Sequence, residues 1–162
     1  MAKADAACVI GLISDTHGQL RAAVHEAFAG VDLILHAGDV GGDDILDELS
    51  LIAPVEAVYG NTDDPANSRL QAEIVRRIGG LMIHVGHGHE AGRLTADALL
   101  ERYAGDVLVY GHTHRQSVTR REGRLVINPG AAGPRRFHLM PSVARLTISD
   151  GQAEVELVSL PA

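Results

Sequence analysis

The feature that most constrains this chain is the alternation that opens it. Val9 to Ile13 reads as a short apolar strand and Gln19 to Phe28 as a helix. Asp32 to His36 reads as a second strand, Asp43 to Leu51 as an amphipathic helix and Val55 to Tyr59 as a third strand. Parallel neighbours cannot be joined by a tight turn, so this βαβαβ order predicts a parallel sheet with right-handed helical crossovers. The order then changes. Ala72 to Ile78 and Leu81 to Val85 flank Gly79-Gly80, the signature of a hairpin. Leu94 to Tyr103 reads as a helix and Val107 to Tyr110 as a strand. Ser117 to Thr119 and Leu125 to Ile127 flank a charged turn, RREGR. Val143 to Ile148 and Ala153 to Val158 alternate around Asp150-Gly151, a second hairpin signal. The class is therefore α/β, with mixed sheets flanked by helices. No internal repeat, low-complexity tract or linker divides the 162 residues, and a single domain over 1–162 with a sizeable core is expected.

Five of these strands end in the same kind of turn. VIGLI leads into Ser14-Asp15-Thr16-His17, LILHA into Gly38-Asp39 and VEAVY into Gly60-Asn61. MIHV leads into Gly86-His87-Gly88-His89, and VLVY into Gly111-His112-Thr113-His114. In open α/β sheets ligands bind in the crevice at the carboxyl ends of the strands, where side chains distant in sequence meet. Glycine there permits a sharp turn and close backbone approach. Taken singly, Asp15-Thr16-His17 fits a helix N-cap, and Gly38-Asp39 and Gly60-Asn61 fit plain turns. A metal-capable side chain at every one of these ends is what turns the reading toward a metal site. Nine histidines are an unusual number for this length, but His25, His84 and His138 do not share the placement and read as ordinary surface or core residues. His36 precedes the Gly38 turn and reads as packing behind the site.

The candidate ligands are Asp15, His17, Asp39, Asn61, His87, His112 and His114. Seven donors are too many for one transition ion and suit two ions sharing a carboxylate, about 3.5–4 Å apart. Mixed imidazole and carboxylate donors favour manganese, iron, zinc or nickel over calcium or magnesium. Two divalent ions against two aspartates leave net positive charge, which suits an anionic phosphoryl group and the generation of hydroxide at neutral pH. Neither a phosphate-binding loop with lysine nor a serine nucleophile elbow is present. The one cysteine, Cys8, excludes an intramolecular disulfide framework and a cysteine-rich zinc site. A net charge of −7 with few aromatic residues disfavours nucleic acid as a partner. The N-terminal apolar stretch is too short for a signal peptide, and no apolar run is long enough for a membrane span, so a cytoplasmic protein is expected. A homo-oligomer is compatible with the sequence.

Asp15-x-His17, Gly38-Asp39, Gly60-Asn61, Gly86-His87 and Gly111-His112-x-His114, in this order, resemble the calcineurin-like metallophosphoesterases. The compact length, His87-Gly88-His89 and Asn128-Pro129-Gly130 are similar to the small prokaryotic phosphodiesterase branch of that superfamily. The resemblance implies a four-layer α/β/β/α sandwich. It implies that Asp15, His17 and His114 hold one metal, that Asp39 bridges, and that Asn61, His87 and His112 hold the other, with Asn61 also reaching the substrate phosphate. It implies a phosphoesterase, with a phosphodiesterase favoured, in which a metal-bound hydroxide attacks phosphorus in line. Manganese is the favoured ion, with iron, zinc and nickel as the others, and a small phosphoester or nucleotide-like compound is the expected substrate.

Two departures from the family pattern stand out. Thr62 occupies the place where many members have a histidine able to protonate a leaving group, and threonine cannot serve as an acid near neutral pH. His89 is the candidate replacement, as donor or phosphate contact. Ala131 stands where serine often follows Asn-Pro-Gly. The same branch is also similar to a eukaryotic retromer subunit that works as a protein-interaction scaffold. A scaffold of this fold is the alternative to an enzyme, although it has no need of all seven ligands.

Overall fold

The computed structural model describes residues 7–136 and 138–161. The first six residues, on which the expectation about targeting partly rests, lie outside that range. In chain order the elements are β1 (Cys8–Ile13), α1 (Ala23–Ala27), β2 (Leu33–His36), α2 (Asp43–Leu49), β3 (Val55–Val58) and β4 (Leu70–Gln71). They continue with β5 (Ile74–Ile78), β6 (Leu81–Val85), α3 (Ala96–Arg102), β7 (Val107–Val109), β8 (Ser117–Arg121), β9 (Arg124–Asn128), β10 (Ser142–Ser149) and β11 (Gln152–Ser159).

The strands form two mixed sheets. One runs β11-β10-β1-β2-β3-β4, the other β5-β6-β7-β9-β8. In the first, β1 to β4 are parallel and β10 and β11 close one side antiparallel. In the second, β6, β7 and β9 are parallel, flanked by antiparallel β5 and β8. Strand alternation sends apolar side chains to both faces. Ile10, Leu12, Leu35 and Val58 of the first sheet meet Ile83, Val85, Val107, Val109 and Ile127 of the second in the central core. On the outer face of the first sheet Ile13 and Ile34 pack with Val24 and Phe28 at α1 and with Ile45, Leu46 and Leu49 of α2. Leu108 and Val126 pack with Leu99 of α3 outside the second sheet. Three apolar seams separate four layers, the α/β/β/α sandwich. Among the described residues no helix is long and apolar enough to cross a membrane.

Local differences from expectation have physical causes. The first helix is shorter than Gln19 to Phe28. Gln19 N–H closes a turn on the Thr16 carbonyl, and the Arg21 guanidinium donates to the Gly133 carbonyl at 3.1 and 3.2 Å, which pins the segment ahead of α1. The charged RREGR stretch is mostly strand. Glu122 and Gly123 alone make the turn, with φ of 50° and 77°, the left-handed pair that suits a two-residue hairpin. Its arginines therefore belong to β8 and β9. The two-residue β4 was not anticipated, being too short to show a period.

Candidate metal centre

The carboxyl ends of β1, β2 and β3 in one sheet meet those of β6 and β7 in the other. Three backbone hydrogen bonds of 2.9 Å extend the β1–β2 pairing past the strands: Asp15 N–H to Gly38, His17 N–H to Asp39 and Gly18 N–H to Val40. The turns they hold are strained. Asp15, His17, Asp39, His112 and His114 all have left-handed backbone, with φ of 55°, 46°, 56°, 71° and 64°. Such a conformation costs on the order of 1–3 kcal/mol per non-glycine residue and persists only where the surroundings enforce it.

Two glycines make room for the carboxylates. A Cβ on Gly60 would stand 2.0 Å from Asp39 Oδ1, and one on Gly111 would stand 2.0 Å from Ser14 Oγ and 2.7 Å from Asp15 Oδ2. Glycine at these strand ends therefore serves close approach, since any side chain would drive the carboxylate out of place.

The structure brings the seven candidate ligands together as two adjoining groups. Asp15, His17 and His114 offer donor atoms within 4.8 Å of one another, and so do Asp39, His87 and His112. In the first group His114 Nε2 lies 3.3 Å and His17 Nε2 3.7 Å from Asp15 Oδ1, with the two ring nitrogens 3.4 Å apart. In the second, Asn61 Oδ1 lies 3.0 Å from His87 Nε2 and 3.1 Å from His112 Nδ1. Asp39, of the second group, also faces the first: its Oδ2 is 3.3 Å from His87 Nε2 and 3.6 Å from His17 Nε2. His89 stands apart from these donors. Its ring centroid is 5.4 Å from that of His87, and its Nε2 is 3.8 Å from Glu90.

The donor chemistry fits divalent cations. His87 Nδ1 lies 2.8 Å from the Ala37 carbonyl, which can only accept, so Nδ1 carries the hydrogen. In the neutral ring Nε2 is then a lone pair. It faces the Asn61 amide oxygen and the Asp39 carboxylate, so acceptor meets acceptor unless a proton or a metal lies between. Asp15 Oδ1 and His114 Nδ1 are buried with no hydrogen-bond partner. Burial works to raise both aspartate pKa values, but the histidines outweigh it. Asp15 is held well below the usual carboxylate range by His114 and His17, with Ser14 donating to its other oxygen. Asp39 is held at about 2 by His87 and the Thr62 backbone N–H. Both are thus carboxylates across the physiological range.

Asp63, in the GNTDD stretch, was not anticipated as a site residue. Its carboxylate accepts backbone N–H from Val40 at 3.0 Å, Gly41 at 3.1 Å and Gly60 at 2.9 Å. It thereby clamps the turn bearing Asp39 to the turn bearing Asn61. Asn128 does similar work beneath the His112 turn: its amide donates to the Gly111 carbonyl and to Thr113 Oγ1. Thr62 contributes its backbone N–H to Asp39 Oδ1 at 3.0 Å, a bond that any residue there except proline could make. At Ala131, Ser142 N–H donates to the carbonyl, while Ser142 Oγ donates to Pro129. His25 pairs with Glu48 on the surface, and buried His84 pairs with Glu73; neither joins the candidate ligands, although His84 lines the same cavity as His87 and His89.

Comparison with known proteins points the same way. Residues 9–151 match the calcineurin-like phosphoesterase superfamily domain. A probable metallophosphoesterase of Methanothermobacter thermautotrophicus is 36% identical, over 93% of this chain and 91% of its own length. A phosphodiesterase of Methanocaldococcus jannaschii is 31% identical, over 75% of this chain and 82% of its own. Among solved structures, wild-type Vps29 of Entamoeba histolytica complexed with zinc superposes with a TM-score of 0.73 at 26% identity, covering 93% of this chain and 98% of that one.

Proposed function

The chain belongs to the calcineurin-like phosphoesterase superfamily, and on that premise we propose that it is a dimetal phosphodiesterase acting on a small or nucleotide-like phosphodiester. The observation that carries the reading is the pair of adjoining donor groups with Asp39 Oδ2 between them. Asp15, His17 and His114 would hold one ion, and Asn61, His87 and His112 the other, with Asp39 shared. When bound, two such ions polarise phosphoryl oxygens and make hydroxide available at neutral pH for in-line attack.

The chain's own groups set the rest. Asp15, Asp39, His87 and His114 are buried, while His17 is partly exposed and Asn61 and His112 are exposed. A phosphodiester therefore approaches from the side of His17, Asn61 and His112. Asn61 contributes its amide oxygen to the donor group and leaves its NH2 to donate to a phosphoryl oxygen. Thr62 supplies no acid, so His89 is the proposed donor to the departing alcohol, and esters with good leaving groups are favoured. Manganese is the proposed native ion, with iron, zinc and nickel as alternatives; the zinc in the Entamoeba Vps29 structure supports transition-metal binding by this fold. The proposal carries with it a single domain over 1–162 and a cytoplasmic location.

A protein-interaction scaffold is the second reading, favoured by the likeness to Vps29. One experiment separates them. Metal content of the purified protein is measured, then hydrolysis of bis(4-nitrophenyl) phosphate after loading with Mn2+, Fe2+, Zn2+ or Ni2+. Two bound ions and turnover of the diester above that of 4-nitrophenyl phosphate are expected. No turnover with any ion, together with a tightly bound protein partner, favours the scaffold.

A further inference from the structure

We propose that His36 is a positioning residue, a neutral imidazole that locks the Asp15–His17 turn against the Gly38–Asp39 turn and so sets how the two donor groups meet. His36 is the last residue of β2 and is fully buried. Its two ring nitrogens have different partners, and those partners fix the tautomer. Gly38 N–H donates to Nδ1 at 3.1 Å, so Nδ1 is a lone pair. Thr16 Oγ1 donates its only hydrogen to the Val40 carbonyl at 2.7 Å. The 3.0 Å contact between Thr16 Oγ1 and His36 Nε2 is therefore a bond that Nε2–H donates.

The ring thus bridges two strained turns at the residues beside their ligands. Thr16 sits between Asp15 and His17, and Gly38 directly precedes Asp39. Asp15, His17 and Asp39 hold left-handed backbone, and a left-handed non-glycine residue relaxes unless its neighbours are held. The Thr16 hydroxyl carries the same chain of bonds on to Val40, one residue past Asp39. No aliphatic side chain could replace this imidazole, because Gly38 N–H and Thr16 Oγ1 would each lose a partner in a dry interior.

The inference rests on the metal-centre reading, and its test keeps the two apart. Mn2+ binding by the 162-residue chain is measured by calorimetry, with the visible spectrum of the Co2+-loaded form and thermal unfolding of the metal-free form. Four variants are compared: His36→Phe, His36→Asn, His36→Gln and Thr16→Val. Loss of a partner behind a ligand typically weakens a metal site about 10–100-fold. His36→Phe and Thr16→Val are expected to fall in that range and to alter the Co2+ spectrum. Asn places an acceptor where Nδ1 was, and Gln a donor where Nε2 was, so each should restore part of the affinity. Wild-type affinity and spectrum in both His36→Phe and Thr16→Val overturn the proposal, as does a drop in melting temperature alone. If His36→Phe does not fold, Thr16→Val decides. A wild-type chain that binds none of these ions overturns the metal centre itself, and the proposal with it.

Discussion

Asp39 Oδ2 stands 3.3 Å from Nε2 of His87 while the other nitrogen of that ring is committed to the Ala37 carbonyl. The carboxylate therefore faces a lone pair or a proton, and either a proton or a metal ion resolves the contact. Because the same oxygen also lies 3.6 Å from His17, one substitution should be felt in both groups. Asp39→Asn is expected to weaken both ions by more than about 100-fold, beyond the loss seen for partners behind ligands, and to abolish turnover. Calorimetric titration with Mn2+ checks this; loss of one ion with the other unchanged would show that Asp39 is not shared.

His112 and His114 are two residues apart but belong to different groups. His114→Ala should deplete the ion beside Asp15 and His17, and His112→Ala the ion beside Asn61 and His87. Each variant should bind about one equivalent tightly, with turnover down by at least about 100-fold. Metal analysis together with the Mn2+ electron paramagnetic resonance signal, which loses its dinuclear character when one ion is missing, distinguishes the two. Unchanged metal content in both variants contradicts the dimetal assignment of this turn.

Asp63 holds three backbone N–H groups and touches none of the candidate ligands' side-chain donors. Asp63→Ala should destabilise the fold by about 1–3 kcal/mol, the cost of leaving such donors short of a partner. It should also weaken metal binding, because the turns of Asp39 and Asn61 come apart. Asp63→Asn retains one acceptor oxygen and should lose less. Urea unfolding and metal titration of both variants test the order.

The metal-free chain should be most stable near pH 6.5. The pKa of His17 is raised by Asp15, and that of His87 is raised because Asp39 and Asp15 overcome its burial. Above the unfolded value of 6.5 the folded chain then holds more protons than the unfolded one, so stability is lost as the pH rises through the raised values. Burial acts the other way on His36, pushed down to about 4, and on His112, also lowered. For these the unfolded chain binds more protons below 6.5, so stability falls with the pH there. Mn2+ takes the place of the protons on His17 and His87 and should move the optimum upward. Melting temperatures from about pH 5 to 9, with chelator and with Mn2+, check both limbs.

His89 is set apart from the donors and stands beside His87. As the proton donor it should matter most for poor leaving groups. His89→Ala is expected to lower kcat on a dialkyl phosphodiester, which must expel an alkoxide, by about 100-fold or more, and on bis(4-nitrophenyl) phosphate only a few-fold. An equal small effect on both removes it from the role.

The candidate ligand positions could be picked out because their signal is local. An apolar run followed by a turn with aspartate, asparagine or histidine, introduced by glycine at four of the five ends, can be seen without knowing any strand's neighbours. The glycines were legible for the same reason, and the contacts at Gly60 and Gly111 show that room for a carboxylate is what requires them. Asp63 and His36 were visible as residues but their bonds were not. Asp63 gathers N–H groups from two different turns, and His36 joins β2 to the turn after β1. Such convergence depends on strand pairing, which is non-local. The family resemblance supplied the two-sheet layout; the residue pattern alone placed all the strand ends along one sheet edge.

That layout has a consequence for folding. Asp15 and His17 come from the first sheet and His114 from the second, 97 positions beyond His17. Asp39 and Asn61 likewise come from the first sheet, and His87 and His112 from the second. An ion in either group would be a stitch between two sheets that pair no strands with each other. With metal bound, the sheets could not part at this edge without breaking coordination bonds, so the ions would reinforce the apolar seam that already joins them.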